Sequence, residues 1–403
     1  MRILHTADWH LGHSLREYDR KWEHVQFLAW LAKTVEADSV DALIIAGDVF
    51  ETSNPPAEAQ QQYYDFLATV AARCPGLQVV VVGGNHDSAD RLDAPEPVLR
   101  SLRVHVVGGL RLADANADLE RAVVTLKTRD GRPGATVAAV PFLRPADLRR
   151  IEGAEDELVA GMGDAYARVL AAARQKLVPG SALLATGHLY MVGGKVSELS
   201  ERKILGGNQH ALSPDLFPAD VAYTALGHLH FAQAIGGRKG VRYSGSPIPL
   251  SVTEASYKHQ VCLVELHGNR LVGVESRPVP RSVDILRLEG LTLEELRKHP
   301  LAGAEEVPLE RRPYLHLRIR TDGPNPGIRS DVEAALAGKA VRLTSFEVER
   351  AGGGEPLAET RPGENLRELQ PEQVFRALYS REHQGDPAPD LLAAFNELMG
   401  EAA

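Results

Sequence analysis

Five short segments of this 403-residue chain combine carboxylate, carboxamide and imidazole side chains: Asp8-Trp-His10, Gly47-Asp48, Gly84-Asn85-His86-Asp87, Gly187-His188 and Gly227-His228-Leu-His230. Oxygen and imidazole donors in this mixture suit a pair of divalent cations. At a separation of roughly 3.5–4 Å such a pair needs one bridging carboxylate plus nitrogen and oxygen ligands on each side. Asp8, His10 and His230 can hold one ion and Asn85, His188 and His228 the other, with Asp48 between them. His228 and His230 alternate, so both point the same way from an extended segment. The glycines preceding Asp48, Asn85, His188 and His228 are expected to let the backbone turn sharply beside the cluster. Two such ions perform phosphoester hydrolysis, by lowering the pKa of bound water and neutralising phosphate oxygens. One Asp-x-His or Gly-His alone is more often a surface loop or a satisfied core histidine. Five in order, each following a strand, carry the reading. Ten further histidines fit no ligand pattern, His13 being the one nearest to a ligand segment.

Elements of alternating type must position these segments. Ile3–Thr6, Ala42–Ala46 and Val79–Val82 are short apolar runs, as strands covered on both faces tend to be. Lys21–Glu36 and Ala57–Arg73 between them have helical apolar spacing. Val104–Val107, Ala135–Val140, Leu183–Thr186, Ala222–Leu226 and Val261–Glu265 read as later strands. The alternation favours a layered α/β domain with its chemistry at the strand ends. After Pro278-Val-Pro280 the texture changes to a β-α-β-α-β series, with strands at Asp284–Leu288, Tyr314–Arg320 and Val341–Glu349. Ala351-Gly-Gly-Gly354 reads as a linker. Two short helices follow, about Pro371–His383 and Pro389–Met399, the second placing Leu391, Leu392, Phe395, Leu398 and Met399 on one face. So small a pair cannot bury that face alone, and a partner is its expected cover. The expected domains are 1–280, 281–352 and 353–403.

Composition narrows the class further. No apolar run reaches the roughly 18–20 residues of a membrane span, and the first residues read as a strand, not a signal peptide. Cys74 and Cys262 lack metal spacing and read as buried reduced thiols, as in a cytoplasmic protein. The net charge of −9 is the wrong sign for binding nucleic acid by global electrostatics. Ala351–Ala403, with ten acidic and four basic residues, contributes −6 of it. No G-x-x-x-x-G-K-[ST] loop occurs, so any ATP dependence must come from another chain.

The five segments resemble those of the calcineurin-like metallophosphoesterase superfamily. The flanking residues Ile3-Leu-His-Thr-Ala-Asp-Trp-His-Leu-Gly12, Ala46-Gly-Asp-Val-Phe50, Ala185-Thr-Gly-His-Leu189 and Tyr243-Ser-Gly-Ser-Pro-Ile-Pro-Leu250 are similar to the bacterial SbcD family, nuclease subunits that work with an SbcC-type coiled-coil ATPase. The resemblance implies an α/β fold: a metallophosphoesterase β-sandwich flanked by helices, then a small α+β capping domain and C-terminal helices that bind the ATPase. It implies the metal ligands Asp8, His10, Asp48, Asn85, His188, His228 and His230, two cations that are most often Mn2+, and His86 as the catalytic residue. It further implies 3′→5′ exonuclease action on duplex DNA, endonuclease action on single strands or hairpins, and a homodimer within a heterotetramer. The dimer would form through the two front helices, where Trp22, Phe27, Leu28, Trp30 and Leu31, then Tyr63, Tyr64, Phe66 and Leu67, cover more than one face. Lys195, Arg202 and Lys203 are candidate phosphate contacts, and Asp87 is placed to orient the His86 ring. Some relatives carry a second histidine three positions after the bridging aspartate. Glu51 stands there instead and is expected to face solvent. A small-substrate phosphoesterase with the same metals, or a non-catalytic scaffold, is the rival reading; the extra domain argues against the first and the complete ligand set against the second.

Overall fold

The computed structural model describes residues 1–114, 119–196, 211–321, 323 and 325–350, and beyond them Tyr379, Pro387 and Leu391. Met1–Ala351 forms one compact unit and Gly352–Ala403 a second. Two six-stranded sheets make up the body of the first unit. One runs in the order Arg270–Pro278, Gln260–His267, Arg2–Thr6, Ala42–Ala46, Gln78–Val82, Val104–Val107, its last four strands parallel. The other runs Gln233–Ile235, Arg238–Tyr243, Val221–Gly227, Ala182–His188, Pro133–Ala138, Val123–Lys127, its middle four parallel.

Side-chain alternation explains why the sheets stack. Ile3, Ala42, Ile44, Val80 and Val82 turn inward to join Val137, Leu184, Tyr223 and Ala225 in one core between the sheets. Leu4, Leu43, Ile45, Val79 and Val81 turn outward and are covered by the helices Lys21–Ala37 and Ala57–Arg73. The far face of the second sheet is covered by the helix Glu157–Gln175 through Ala165, Tyr166, Val169 and Leu170. That helix is absent from the sequence reading, although Asp156 caps it by accepting from the Leu158 and Val159 amides at 3.0 and 3.1 Å. Also unread were the strands Val123–Lys127, Gln233–Ile235, Arg238–Tyr243 and Arg270–Pro278. Three of the four are edge strands, and all but Val123–Lys127 are too polar to show an apolar run.

A third sheet follows, Ile285–Leu291, Tyr314–Thr321 and Arg342–Arg350, all parallel, with the helices Leu293–Lys298 and Ile328–Leu336 in the crossovers. This is the β-α-β-α-β series read from the sequence, and the boundary expected near 280 lies inside the first compact unit. There Val283, Ile285 and Tyr314 pack with Leu15, Tyr18 and Trp22. Trp22, whose apolar bulk suggested a second copy of the chain, packs here on its own chain and, like Trp30 and Tyr64, is half-buried.

Charge is buried in this joint. The Arg20 guanidinium pairs with Glu23 and donates to the Pro249 carbonyl, and the Tyr314 hydroxyl donates to Glu23 Oε1 at 2.7 Å. The Arg342 guanidinium lies over the Tyr314 ring, 3.8 Å from its centroid. Removing one partner of a buried pair leaves an uncompensated charge, which costs far more than the intact pair contributes. Glu23→Ala is therefore expected to lower the unfolding free energy by about 3–5 kcal/mol, and Tyr314→Phe by about 1–3 kcal/mol. Urea unfolding followed by tryptophan fluorescence measures both, and equal small losses for the two variants would contradict the ion-pair account.

Candidate metal centre

Every residue of the expected ligand set sits where a parallel strand ends. Asp8 and His10 follow Arg2–Thr6, Asp48 follows Ala42–Ala46, and Asn85 and His86 follow Gln78–Val82. His188 ends Ala182–His188, and His228 and His230 follow Val221–Gly227. Among the described residues seven non-glycines have positive φ, and four of them are Asp8 (55°), His10 (48°), Asp48 (48°) and His228 (99°). Left-handed backbone is costly for such residues and persists only where the surroundings over-determine it. Here a backbone lattice does so. The Asp8 amide donates to the Gly47 carbonyl and the His10 amide to the Asp48 carbonyl, each at 3.0 Å.

The glycines work by closeness more than by turning. Gly47 has φ +92°, and a Cβ there would stand 2.2 Å from His188 Nδ1. At Gly84 and Gly227 φ is ordinary, but a Cβ would meet Asp48 Oδ1 at 2.1 Å or the Ala46 carbonyl oxygen at 1.9 Å. The expectation of a sharp turn therefore holds at Gly47 alone of these three. Elsewhere two loops pack too tightly for any side chain.

The side chains converge with a common logic. Each aspartate has one oxygen anchored by a backbone amide: Asp8 Oδ1 accepts from His228 N at 2.8 Å and Asp48 Oδ1 from His86 N at 2.9 Å. The other oxygens face inward. Asp8 Oδ2 is buried without a hydrogen-bond partner, and Asp48 Oδ2 lies 3.6 Å from His10 Nε2 and 3.2 Å from His188 Nε2. Acceptor-only groups fix the histidine tautomers. His10 Nδ1 bonds Glu51 Oε2, His230 Nδ1 bonds Glu254 Oε1 and His188 Nδ1 bonds the Ala46 carbonyl, each at 2.9 Å. The Nδ1 protons being used outward, the Nε2 lone pairs of His10 and His188 point into the cluster. His10 Nε2 is buried and unpartnered, and His188 Nε2 faces Asn85 Oδ1 at 3.0 Å, where the neutral ring has a lone pair. Asn85 Oδ1 also lies 3.0 Å from His228 Nδ1.

Lone pairs aimed at lone pairs in a buried space call for cations. In the protein alone a proton is the substitute. Burial opposes charging His188, yet Asp48 and Asp8 outweigh it and push its imidazole up to about 9. Burial likewise resists the Asp48 charge, but His188 and His10 hold it well below the usual carboxylate range. Asp8, His10 and His230 bring ligand atoms within 4.8 Å of one another, as do Asp8, Asp48 and His188. The donors fit two divalent ions.

Two expectations about neighbours change, and one further residue joins them. Asp87 does not orient the His86 ring: its carboxylate accepts the Val49, Phe50 and Gly84 amides at 3.1, 2.9 and 2.9 Å and staples two ligand loops together. The His86 ring is instead held by Nδ1 bonding the Glu51 carbonyl at 2.7 Å. Glu51 turns inward to His10 and does not simply face solvent. Glu254, fully buried, was not found from the sequence at all. Only its place a few residues after the Tyr243–Leu250 motif hinted at it, and its second oxygen ties down the Leu250 amide at 2.8 Å.

Peripheral candidates are less gathered. Lys195 is exposed, with its ammonium 5.8 Å from the Phe231 ring centre. Arg202 and Lys203 lie outside the described residues, as do Leu392, Phe395, Leu398 and Met399; Leu391 is exposed. His5 and His24 are buried core histidines, bonded to the Tyr223 hydroxyl and the Trp9 carbonyl. Cys74 and Cys262 are buried free thiols.

Comparison with known proteins agrees with this geometry. Residues 1–132 match the family described as calcineurin-like phosphoesterase, and residues 281–383 match one described as type 5 capsule protein repressor C-terminal domain. A protein of Rhodobacter capsulatus named as the SbcD component of the nuclease SbcCD is 42% identical over 390 residues, covering 94% of each chain. Its namesake in Escherichia coli K12 is 36% identical over 383 residues, covering 93% of this chain and 92% of that one. The Bacillus subtilis protein of the same name is 34% identical over 270 residues, 66% of each chain. By its fold, its two-cation donor set and these matches, the chain belongs to the calcineurin-like metallophosphoesterases and, within them, to the SbcD family of nuclease components.

Proposed function

We propose that this protein is a metal-dependent DNA nuclease subunit that works with an SbcC-type ATPase in DNA end processing, repair and recombination. The observation that carries the reading is the convergence of inward-facing donor atoms from Asp8, His10, Asp48, Asn85 and His188 at the ends of parallel strands. The relatives named for a two-component nuclease point the chemistry toward DNA. Asp8, His10 and His230 would hold one cation and Asn85, His188 and His228 the other, with Asp48 serving both. Bound there, the ions supply Lewis acidity toward a phosphate and acidify water. Mn2+ is the proposed metal.

The chain's own residues do the rest. The Glu51 carbonyl takes the His86 Nδ1 proton bond and so leaves the other ring nitrogen for a phosphate at the half-exposed rim. A protonated Nε2 there stabilises the negative charge gathering on the phosphate oxygens and donates to the departing oxygen. The proposed outcome is 3′→5′ exonuclease action on duplex ends and endonuclease action on single strands or hairpins.

The remaining proposals concern organisation. Residues 1–280 form the nuclease domain, 281–352 cap it and help seat DNA, and 353–403 carry the helix face of Leu391, Leu392, Phe395, Leu398 and Met399 to the ATPase. Lys195, Arg202 and Lys203 contact DNA phosphates. The protein acts in the cytoplasm as a homodimer within a heterotetramer; no described helix is long and apolar enough to cross a membrane.

Cleavage of end-labelled linear duplex DNA with added Mn2+ and the partner ATPase tests the reading. His86→Ala is expected to slow cleavage by about 10²–10⁴-fold while Asp8→Ala abolishes it. If the assembled wild-type complex left DNA intact yet hydrolysed a small phosphodiester, the small-substrate reading would replace this one. Metal linkage gives a second check. At a hundredfold excess over Kd, one bound ion stabilises the fold by about 2.7 kcal/mol. Scanning calorimetry of chelator-stripped protein should show a higher Tm on adding Mn2+ for the wild type and His86→Ala, and a much smaller rise for Asp8→Ala.

A further inference from the structure

We infer that the two cation positions are unequal and fill in order: Asp8, His10 and His230 take the first divalent ion, and Asn85, His188 and His228 take the second. The inference rests on the two-cation reading above and deepens it. Its basis is the distribution of charge around the two halves of the cluster.

The first half has its own carboxylate, Asp8, in addition to the shared Asp48. The second is assigned only the shared one, Asp8 reaching it from the first half within 4.8 Å of His188, and its separate oxygen donor is the neutral carboxamide of Asn85. The groups behind the ligands repeat the asymmetry. Both imidazoles of the first half are backed by carboxylates, His10 by Glu51 and His230 by Glu254, each at 2.9 Å. A carboxylate behind an imidazole makes it a stronger donor and fixes the ring. In the second half His188 is backed by the neutral carbonyl of Ala46, and His228 has its Nδ1 against Asn85. Four carboxylates therefore surround one position and one is shared with the other. An ion in the first position also neutralises Asp48 and repels a second divalent ion a few ångströms away, which widens the gap.

Glu51 and Glu254 are, on this account, positioning residues that set the affinity of the first site. They do so in separable ways. A glutamine at 51 still offers an oxygen to His10 Nδ1–H, so Glu51→Gln removes charge alone. Glu254 has no such latitude, because its two oxygens serve two donors, His230 Nδ1 and the Leu250 amide. A glutamine there has one oxygen for both. Satisfying Leu250 turns an N–H toward His230 and moves the histidine's proton onto Nε2, the nitrogen that must face the metal.

The test is titration of the full, chelator-stripped chain with MnCl2, followed by calorimetry and by electron paramagnetic resonance. The wild type should bind in two resolved steps. An isolated-ion signal should appear up to one equivalent and an exchange-coupled pair only in the second. Asn85→Ala should lose the weaker step and keep the tighter one. Glu51→Gln should weaken the tighter step by about tenfold and Glu254→Gln by about a hundredfold, with circular dichroism unchanged for both. Glu51, which is partly exposed, guards against a result due to misfolding at buried Glu254. A coupled signal from the first additions, or a tighter step indifferent to both glutamate variants, would overturn the ordering while leaving two cations in place. Failure of the wild type to bind Mn2+ at all would overturn the two-cation reading and the ordering together.

Discussion

The convergence of inward-facing donor atoms from Asp8, Asp48, Asn85, His10 and His188 in one buried space is what the surrounding structure has to accommodate. Burial raises the cost of each charge, because little water is present to screen it. The protein meets this by tying five of the seven proposed ligands on their outer side. One oxygen of each aspartate is held by a backbone amide, and the outward nitrogens of His10, His230 and His188 are held by Glu51, Glu254 and Ala46. What remains unsatisfied points to a common centre. A divalent cation resolves the frustration at that centre, so binding energy and fold strain are two sides of one arrangement.

Rigid backbone makes this possible. Left-handed φ at Asp8, His10, Asp48 and His228 aims their side chains across the strand ends, where an extended continuation would turn them into either sheet layer. The glycines at 84 and 227 bring neighbouring loops within distances that no Cβ tolerates. Asp87 then locks the loops after two strands by three amide hydrogen bonds. Its role is architectural, although it sits beside His86.

The segment Pro247–Ser256 serves two masters. Its Pro249 carbonyl receives Arg20, which with Glu23 and Tyr314 forms the buried joint to the third sheet. The next residue, Leu250, is tied to Glu254, and Glu254 holds His230. One short segment thus touches both the C-terminal module and a ligand of the centre. His24, on the same helix as Glu23, bonds the carbonyl of Trp9 between the two first ligands. The third sheet is anchored to the part of the fold on which the geometry of His10 and His230 depends.

Much of this was legible before folding. The seven proposed ligands and His86 stood out because each follows a strand end and the donor types make sense only as a set. The apolar strands Ala42–Ala46 and Val79–Val82 were equally plain, being buried on both faces. The C-terminal β-α-β-α-β series could be read from its alternation. Polar edge strands such as Arg270–Pro278 could not, since half-exposed faces impose no apolar pattern. Nor could the inward turn of Glu51, the staple made by Asp87, or the place of Glu254. These are decided by partners 41, 37 and 24 residues away in sequence. Residue type and local spacing determine which atoms are able to bind a cation. Only the packing of the two sheets decides which of those atoms face the common centre, because that depends on what each side chain meets on its far side.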